Sequence, residues 1–364
     1  MKKKVWVGII FVLVVAALLI AVVLQRSTSQ KVRIGVVGPF TGEGATYGQS
    51  MKRGYELAFV GERGMQLVYE DDALSAQKGV SAINKLISAD KVQVVLGSAA
   101  SGVTLAMAPI AERNKVILFS SISTSDDLRK SGDYIFRNVP RNEIQGITAA
   151  RFLYETLKKT SVVILKKNDE YATNLTRSFR DRFLQLGGKI LLDEAYQPGT
   201  SDFRSILAKI KPAEAQAIYV PGNYQEVALF LKQAYEAGLR TTFMGGDGSY
   251  SPELIKIASN AAEGSYYTIM SAKKNSDYYK AFQKSFQARY EREPDIYDAY
   301  AYEAASILLK AVRQEGYNAT RIKDFLLSNS FDSLTGTLRF DADGEVEREY
   351  GIVTVKDSHF VDVE

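Results

Sequence analysis

Residues 97–128, GSAASGVTLAMAPIAERNKVILFSSISTSDDL, decide the fold class of this chain. A β-rich run (92–97) ends in small residues at 98–102, a helical pattern follows, and a second apolar run (116–119) ends in Ser120–Ser125. The pattern predicts neighbouring strands that bring hydroxyl groups and free backbone N–H groups to one edge of a sheet. Such an edge suits a carboxylate or phosphate, because the first N–H groups of a helix lack partners. The alternative is that the serines only cap helices.

Composition indicates a globular protein that does not bind nucleic acid. The 364 residues are enough for two domains, and 46% hydrophobic with 24% charged residues is typical of a folded chain. Lys2, Lys3, Lys4 and Arg26 account for the whole net charge of +4, since removing them from 46 basic residues leaves 42 against 42 acidic ones. The rest of the chain is neutral and has no basic stripe of the kind that nucleic acids require.

The chain has no cysteine and a single histidine, His359. Disulfides, thiol catalysis and zinc–thiolate sites are therefore excluded, and little remains for histidine catalysis or metal ligation. We expect no catalytic residues, no metal and no cofactor.

The amino terminus combines three lysines with an uncharged apolar run from Val5 to Leu24. That run is long enough to cross a bilayer as a helix, and the lysines favour a cytoplasmic amino terminus. We predict a signal anchor and linker over 1–30, with residues 31–364 outside the cytoplasm. A cleaved signal peptide is the alternative.

Short β-branched runs alternate with amphipathic helical patterns through residue 270. This alternation predicts an α/β fold with two doubly wound parallel sheets, and a single closed barrel is the structural competitor. After two further helices, TGTLRFDADGEVEREYGIVTV (335–355) predicts two strands joined by a hairpin at Asp343–Gly344.

Acidic residues follow two of the predicted strands. Asp71 and Asp72 end the second strand, where one is predicted to cap the next helix and the other to be solvated. Asp247, in FMGGDG (243–248), ends a later strand between glycines. If Asp247 faces the hydroxyl edge across a cleft, the site suits a zwitterionic ligand. The ammonium group of the ligand would bind Asp247, and its carboxylate would bind the hydroxyl and N–H groups of the edge.

These segments together resemble the type I periplasmic binding proteins, specifically the branched-chain (Leu/Ile/Val) amino-acid-binding proteins of ABC importers. The resemblance covers about 31–356. It rests on six segments in order: VRIGVVGPFTGEGATYG (32–48), VQVVLGSAASGVTLAMAPIAERNKVILFSSISTSDDL (92–128), YIFRNVPRNEIQG (134–146), YQPGTSDFRSIL (196–207), QAYEAGLRTTFMGGDG (233–248) and RFDADGEV (339–346).

The resemblance implies two lobes joined by three crossover segments, with a ligand held between them. Lobe 1 would comprise 31–140 plus 271–334, and lobe 2 would comprise 141–270 plus 335–364.

The resemblance also implies a ligand site. Ser101 and Thr124 correspond to residues that bind the α-carboxylate, and the carbonyl of Ile122 helps Thr124 to hold the ammonium group. Asp247 stands where the family usually has Glu, and Tyr47 and Tyr171 match tyrosines of the cleft. The other serines of 97–128 are expected to cap helices or face solvent.

Besides Asp247, two further residues of the cleft depart from the family pattern. Asn223 replaces a cleft tyrosine, and Ile122 replaces a much smaller residue. We therefore predict that the amino-acid frame is retained while the side-chain pocket differs, and we do not predict leucine.

The expected function is that of an extracytoplasmic solute-binding protein, a monomer tethered by its amino-terminal helix. It would capture an amino acid or close analogue and deliver it to ABC permease subunits. The alternative is a sensory or regulatory module of the same fold that acts through a separate partner.

Overall fold

The structure is a computed structural model that describes residues 31–363. The predicted anchor, Val5–Leu24, lies outside these residues. No helix within 31–363 combines the length and apolar character needed to cross a membrane.

The first sheet has five parallel strands in the order β2–β1–β3–β4–β5. Its strands are β1 Val32–Gly38, β2 Met65–Asp71, β3 Val94–Leu96, β4 Ile117–Ser120 and β5 Ile135–Arg137. β3, β4 and β5 are buried along their whole length, as expected of parallel strands covered by helices on both faces.

The second sheet has seven strands in the order β14–β13–β10–β9–β8–β6–β7. Five are mutually parallel, and the last two pair antiparallel at one side. The strands are β6 Ser161–Lys167, β7 Lys189–Tyr196, β8 Ala217–Tyr219, β9 Thr242–Gly245, β10 Tyr266–Met270, β13 Tyr350–Lys356 and β14 His359–Asp362. The prediction of two open parallel sheets, rather than one barrel, is confirmed.

Eleven α-helices cover the two sheets within residues 31–363. They are α1 Ala45–Ala58, α2 Ala76–Ser88, α3 Ser101–Arg113, α4 Asn142–Arg151, α5 Glu170–Gln185, α6 Arg204–Ile210, α7 Tyr224–Glu236, α8 Pro252–Ala258, α9 Asp277–Tyr290, α10 Ile296–Glu315 and α11 Ala319–Ser328. Asp295 and Asp298 form a capping box at the start of α10. α10 packs closely on α1 because Gly54 has no side chain, and a Cβ there would lie 2.4 Å from the Asp298 carbonyl oxygen.

The predicted hairpin at Asp343–Gly344 is wrong. β12 (Gly336–Arg339) pairs instead with β11 (Ser330–Ser333), the strand before it. The turn between these two strands is residues 334–335, where the predicted boundary between the lobes also falls. β13 belongs to the second sheet, so the two strands on either side of Asp343–Gly344 are not partners. The turn there is closed locally by the Asp341 carboxylate, which accepts hydrogen bonds from the backbone N–H groups of Asp343 and Glu345, both at 2.9 Å.

The chain leaves the first sheet for the second after β5, returns after β10 to helices of which α10 packs on α1, and re-enters the second sheet after β12. Two buried ion pairs tie these connections to the core. Arg137, at the end of β5, pairs with Glu345 of the third connection, and Arg348 of that connection pairs with Glu303 of α10. The crossover region is therefore held by charged groups that are almost completely removed from water.

Candidate functional site

A cavity of about 500 Å³ lies between the carboxyl ends of the strands of the two sheets. All seven residues predicted for the site line it: Tyr47, Ser101, Ile122, Thr124, Tyr171, Asn223 and Asp247. The structure thus brings together residues from distant parts of the sequence at one cleft, as ligand sites of open α/β sheets require.

The hydroxyl edge is formed by the start of α3 and the loop after β4. Ser101 and Thr124 are buried, 2% and 1% exposed, yet both line the cavity. Within residues 31–363, the backbone N–H groups of Ser101, Gly102 and Thr124 donate to no protein acceptor. The edge therefore offers several donors to a bound anion, at the positive end of a helix.

The neighbouring serines have a structural role different from the one expected. Ser98, Ser120 and Ser123 are buried rather than solvated. The Ser120 and Ser123 hydroxyls donate to the Ser98 carbonyl at 2.8 and 2.9 Å, and Thr104 and Ser123 hydroxyls lie 2.6 Å apart. These bonds join the loops after β3 and β4, and so place Ser101 beside Thr124.

Asp247 lies opposite this edge and is 3% exposed. Its Oδ1 accepts hydrogen bonds from Tyr171 Oη at 2.7 Å, Gln145 Nε2 at 2.8 Å and the Gly248 backbone N–H at 3.0 Å. Within residues 31–363, its Oδ2 accepts none and no basic side chain pairs with it. Burial raises the pKa of the Asp247 carboxyl, and the three hydrogen bonds oppose that shift. The arrangement leaves one carboxylate oxygen for a cationic ligand.

Two tyrosines connect the helices above the first sheet to the Asp247 loop. Tyr47 Oη of α1 donates to the carbonyl oxygen of Gly248, and Tyr297 Oη of α10 donates to that of Asp247 at 2.5 Å. Their rings meet edge to face, 5.5 Å between centroids. Burial raises the pKa of both tyrosines well above its usual value, so they act as neutral donors. Tyr297 was missed because no motif in its segment points to the cavity. Gln145 was missed although it lies in 134–146, a segment that was used only for the family resemblance.

The second sheet also contributes a polar wall that sequence reasoning missed. Lys167, the last residue of β6, lines the cavity and its Nζ lies 2.6 Å from Glu226 Oε1. Both side chains are buried, 4% and 3% exposed. Asp169 also lines the cavity and caps α5 by accepting a hydrogen bond from the Ala172 N–H at 2.9 Å. The strand pattern of SVVILKK gave no signal that its last lysine is buried.

The prediction for Asp71 and Asp72 is wrong. Ser75 caps α2, and Asp72 is fully buried, where it accepts hydrogen bonds from Ser98 Oγ at 2.6 Å and the Leu74 N–H at 2.8 Å. Asp71 instead binds the backbone N–H of Phe40 at 2.8 Å. Asp72 thereby positions Leu74, which lines the cavity.

No group of three or more potential metal ligands occurs among the residues that the structure describes. The donors and acceptors of the cavity are instead arranged for hydrogen bonds to a small organic molecule.

Comparison with known proteins agrees with this geometry. The sequence profile of the periplasmic binding protein family matches residues 31–359. A Leu/Ile/Val-binding protein homolog from Brucella abortus is 31% identical over 361 residues, which cover 95% of this chain and 94% of that protein.

Two crystal structures are also similar. A leucine binding protein from Thermotoga maritima has a TM-score of 0.87 and 27% identity, over 92% of this chain and 98% of that chain. A branched-chain amino acid substrate-binding protein from Streptococcus pneumoniae, in complex with isoleucine, has a TM-score of 0.84 and 28% identity, over 92% and 100%. With the two-sheet fold and its central cavity, these matches establish that the chain belongs to the periplasmic binding protein family.

Proposed function

We propose that this protein is an extracytoplasmic solute-binding protein that captures an α-amino acid or close analogue and delivers it to an ABC importer. It performs no catalysis and works as a monomer. Its two lobes are residues 31–140 plus 271–334 and residues 141–270 plus 335–364, and closure of the lobes around the ligand is its output. The amino-terminal apolar segment tethers it to the membrane, so that the cavity faces outward.

The observation that carries the proposal is the position of Asp247 across the cavity from Ser101 and Thr124. The α-carboxylate binds the two hydroxyls and the N–H groups at the start of α3. The ammonium group binds Asp247 Oδ2, with the Thr124 hydroxyl and the Ile122 carbonyl completing its shell. A free carboxylate on one side and free donors on the other are complementary to the two charges of a zwitterion.

The strength of these contacts is sufficient for a transport protein. Hydrogen bonds to charged groups contribute about 1.5–3 kcal/mol each, and a micromolar dissociation constant corresponds to about 8 kcal/mol. Five such bonds near the upper end of this range supply about 15 kcal/mol, which reaches that value after an ordering cost of about 4–7 kcal/mol.

The relatives support the class of ligand without identifying it. One similar structure holds isoleucine, and another relative is named for leucine, isoleucine and valine. Asn223 and Ile122 line the part of the cavity where this chain departs from the family pattern. The α-amino-acid frame is therefore shared, whereas the side chain is chosen by residues particular to this chain.

A thermal-shift screen of the purified full chain tests the proposal. The ligands are the L-amino acids, their amides, and organic acids that lack an ammonium group. Ligand at one hundred times its dissociation constant stabilises the folded state by about 2.7 kcal/mol, so at least one amino acid should raise the Tm by several degrees. A Tm raised by organic acids alone, with no response to any amino acid, contradicts the proposal.

A further inference from the structure

The buried Lys167 and the half-buried Asn223 line the cavity with polar groups that an aliphatic side chain cannot satisfy. We infer that the ligand is an amino acid with an uncharged side chain that both accepts and donates hydrogen bonds, a carboxamide being the simplest, and that Lys167 is the residue that selects it. The inference rests on the proposed function and concerns only the choice of side chain.

Lys167 has hydrogen-bonding capacity that the protein leaves unused. Its ammonium carries three N–H groups, and among residues 31–363 the only carboxylate within 4 Å of Nζ is that of Glu226. The residue is 3% exposed, so bulk water does not readily take up the remaining donors. A buried donor without an acceptor is unfavourable. Because Lys167 lines the cavity, an acceptor oxygen on the ligand can satisfy it.

Asn223 provides the complementary group. It follows β8, the strand next to β6, and the Lys167 N–H donates to the carbonyl of Pro221 at 3.1 Å. Within residues 31–363 the Asn223 amide makes no side-chain hydrogen bond, yet it lines the cavity. Lys167 and Asn223 therefore stand at neighbouring strand ends, one offering donors and the other offering both a donor and an acceptor.

The charges around this part of the cavity select an uncharged side chain. Glu226 neutralises Lys167, so a ligand carboxylate finds no net positive charge. Asp169 lines the cavity nearby and repels a second carboxylate. A basic side chain has no acceptor atom, so it cannot satisfy the remaining N–H groups of Lys167. A carboxamide avoids both conflicts, because its oxygen accepts from Lys167 and its NH₂ donates to Asn223 or Asp169.

Calorimetry on the purified full chain tests the inference with four probes: L-glutamine, L-leucine, L-glutamate and L-arginine. We expect glutamine to bind at least tenfold more tightly than each of the other three. A ranking in which leucine, glutamate or arginine binds as tightly as glutamine overturns the inference and leaves the proposed function intact. If no amino acid binds while a ligand without an ammonium group does, the proposed function itself fails.

A pair of matched double variants then tests the role of Lys167. Lys167→Met with Glu226→Gln removes both buried charges together, so that neither is left unpaired. Lys166→Met with Asp193→Asn removes the ion pair between β6 and β7, whose Nζ and Oδ1 atoms lie 2.6 Å apart. Neither these residues nor Arg180, which also pairs with Asp193, line the cavity.

The first double variant should lose glutamine affinity at least tenfold while leucine affinity does not fall, because leucine cannot satisfy the Lys167 donors, and the control should leave both unchanged. Equal loss of glutamine and leucine affinity, in a variant whose circular dichroism matches the parent, overturns the role of Lys167. The ranking of ligands by the unmodified chain is independent of whether either variant folds.

Discussion

Tyr297 Oη donates a hydrogen bond of 2.5 Å to the backbone carbonyl oxygen of Asp247, and so joins α10 to the loop after β9. The loop that holds the proposed ammonium-binding carboxylate is thus attached to a helix that packs on α1. The bond links the two halves of the cleft directly above the cavity. Ligand binding and closure of the cleft are therefore expected to depend on this tyrosine.

Tyr297→Phe should weaken amino-acid binding about fivefold, because a hydrogen bond of this kind contributes about 1 kcal/mol net. The phenyl ring keeps the edge-to-face contact with Tyr47, so the Tm should change little. Calorimetry with the ligand found in the thermal-shift screen gives the affinity. Tyr302→Phe, on the same helix but outside the cavity lining, is the control and should bind as the parent does. Equal affinities of Tyr297→Phe and the parent would show that the bond does not contribute to closure.

Asp247→Asn should reduce amino-acid affinity by about 30-fold or more, because the ammonium group loses a charged hydrogen bond of about 2–3 kcal/mol. The Tm of the unliganded variant should be equal to or higher than that of the parent, since burial disfavours the charged carboxyl. Asp202→Asn is the control, because Asp202 is exposed and, in the part of the chain that the structure describes, pairs only with Arg204. Unchanged affinity in Asp247→Asn would refute the ammonium assignment.

Amino-acid affinity should also fall as the pH is lowered. Burial raises the pKa of Asp247 in the unliganded protein, whereas an ammonium group stabilises the charged carboxylate. The ligand therefore binds the deprotonated form, and affinity is lost as the pH falls through the pKa of the free site. Calorimetry between pH 7 and pH 4 should show this loss in the parent, and Asp247→Asn should lack the corresponding step.

Asp72→Asn should change how stability depends on pH. Burial raises the pKa of Asp72 from its usual value of 3.8 to about 6. Because the folded-state pKa lies above the unfolded one, the favourable contribution of Asp72 is present below about pH 4 and is lost as the pH rises through 6. The free energy of unfolding of the parent, relative to Asp72→Asn, should fall by about 2–3 kcal/mol between pH 4 and pH 7.

Urea unfolding at pH 4, 5.5 and 7 measures this difference. Asp71→Asn is the matched control, since hydrogen bonds to Thr41, Phe40 and Ala73 lower the pKa of Asp71. For Asp71 the sign reverses, and the parent should gain stability relative to the variant as the pH rises. A parallel pH dependence for both variants would contradict the prediction.

Glu303→Gln should destabilise the protein by about 3–5 kcal/mol, because it leaves the Arg348 guanidinium buried without its counter-ion. Glu303→Leu with Arg348→Met should recover most of that loss, since no unpaired charge remains. Arg204→Ala, which breaks an exposed pair with Asp202, should leave the Tm almost unchanged, because solvent screens exposed ion pairs. Thermal unfolding distinguishes the three, and equal Tm values for Glu303→Gln and Arg204→Ala would show that burial of the pair is unimportant.

Much of the fold could be predicted from local pattern. The alternation of β-branched runs with helical patterns predicted parallel strands, and β1 and β6 are such runs, buried along most of their length. The prediction of a hairpin at Asp343–Gly344 was wrong because strand pairing is not a local property. A turn dipeptide determines only a local reversal, whereas the partner of β12 was decided by the pairing available in β11.

Some features of the candidate site could likewise be predicted from the sequence, and others depend on tertiary packing. The sequence by itself determined that Ser101, Thr124 and Asp247 end strands or begin helices, and parallel strands place such residues at a common edge. Only the tertiary structure decided which hydroxyls stay open to the cavity, because the other serines bind one another when the two loops meet. It also decided the partners of Asp247, of which Gln145 lies 102 residues away. Contacts at that separation depend on how the sheets and helices pack, and no local pattern encodes them.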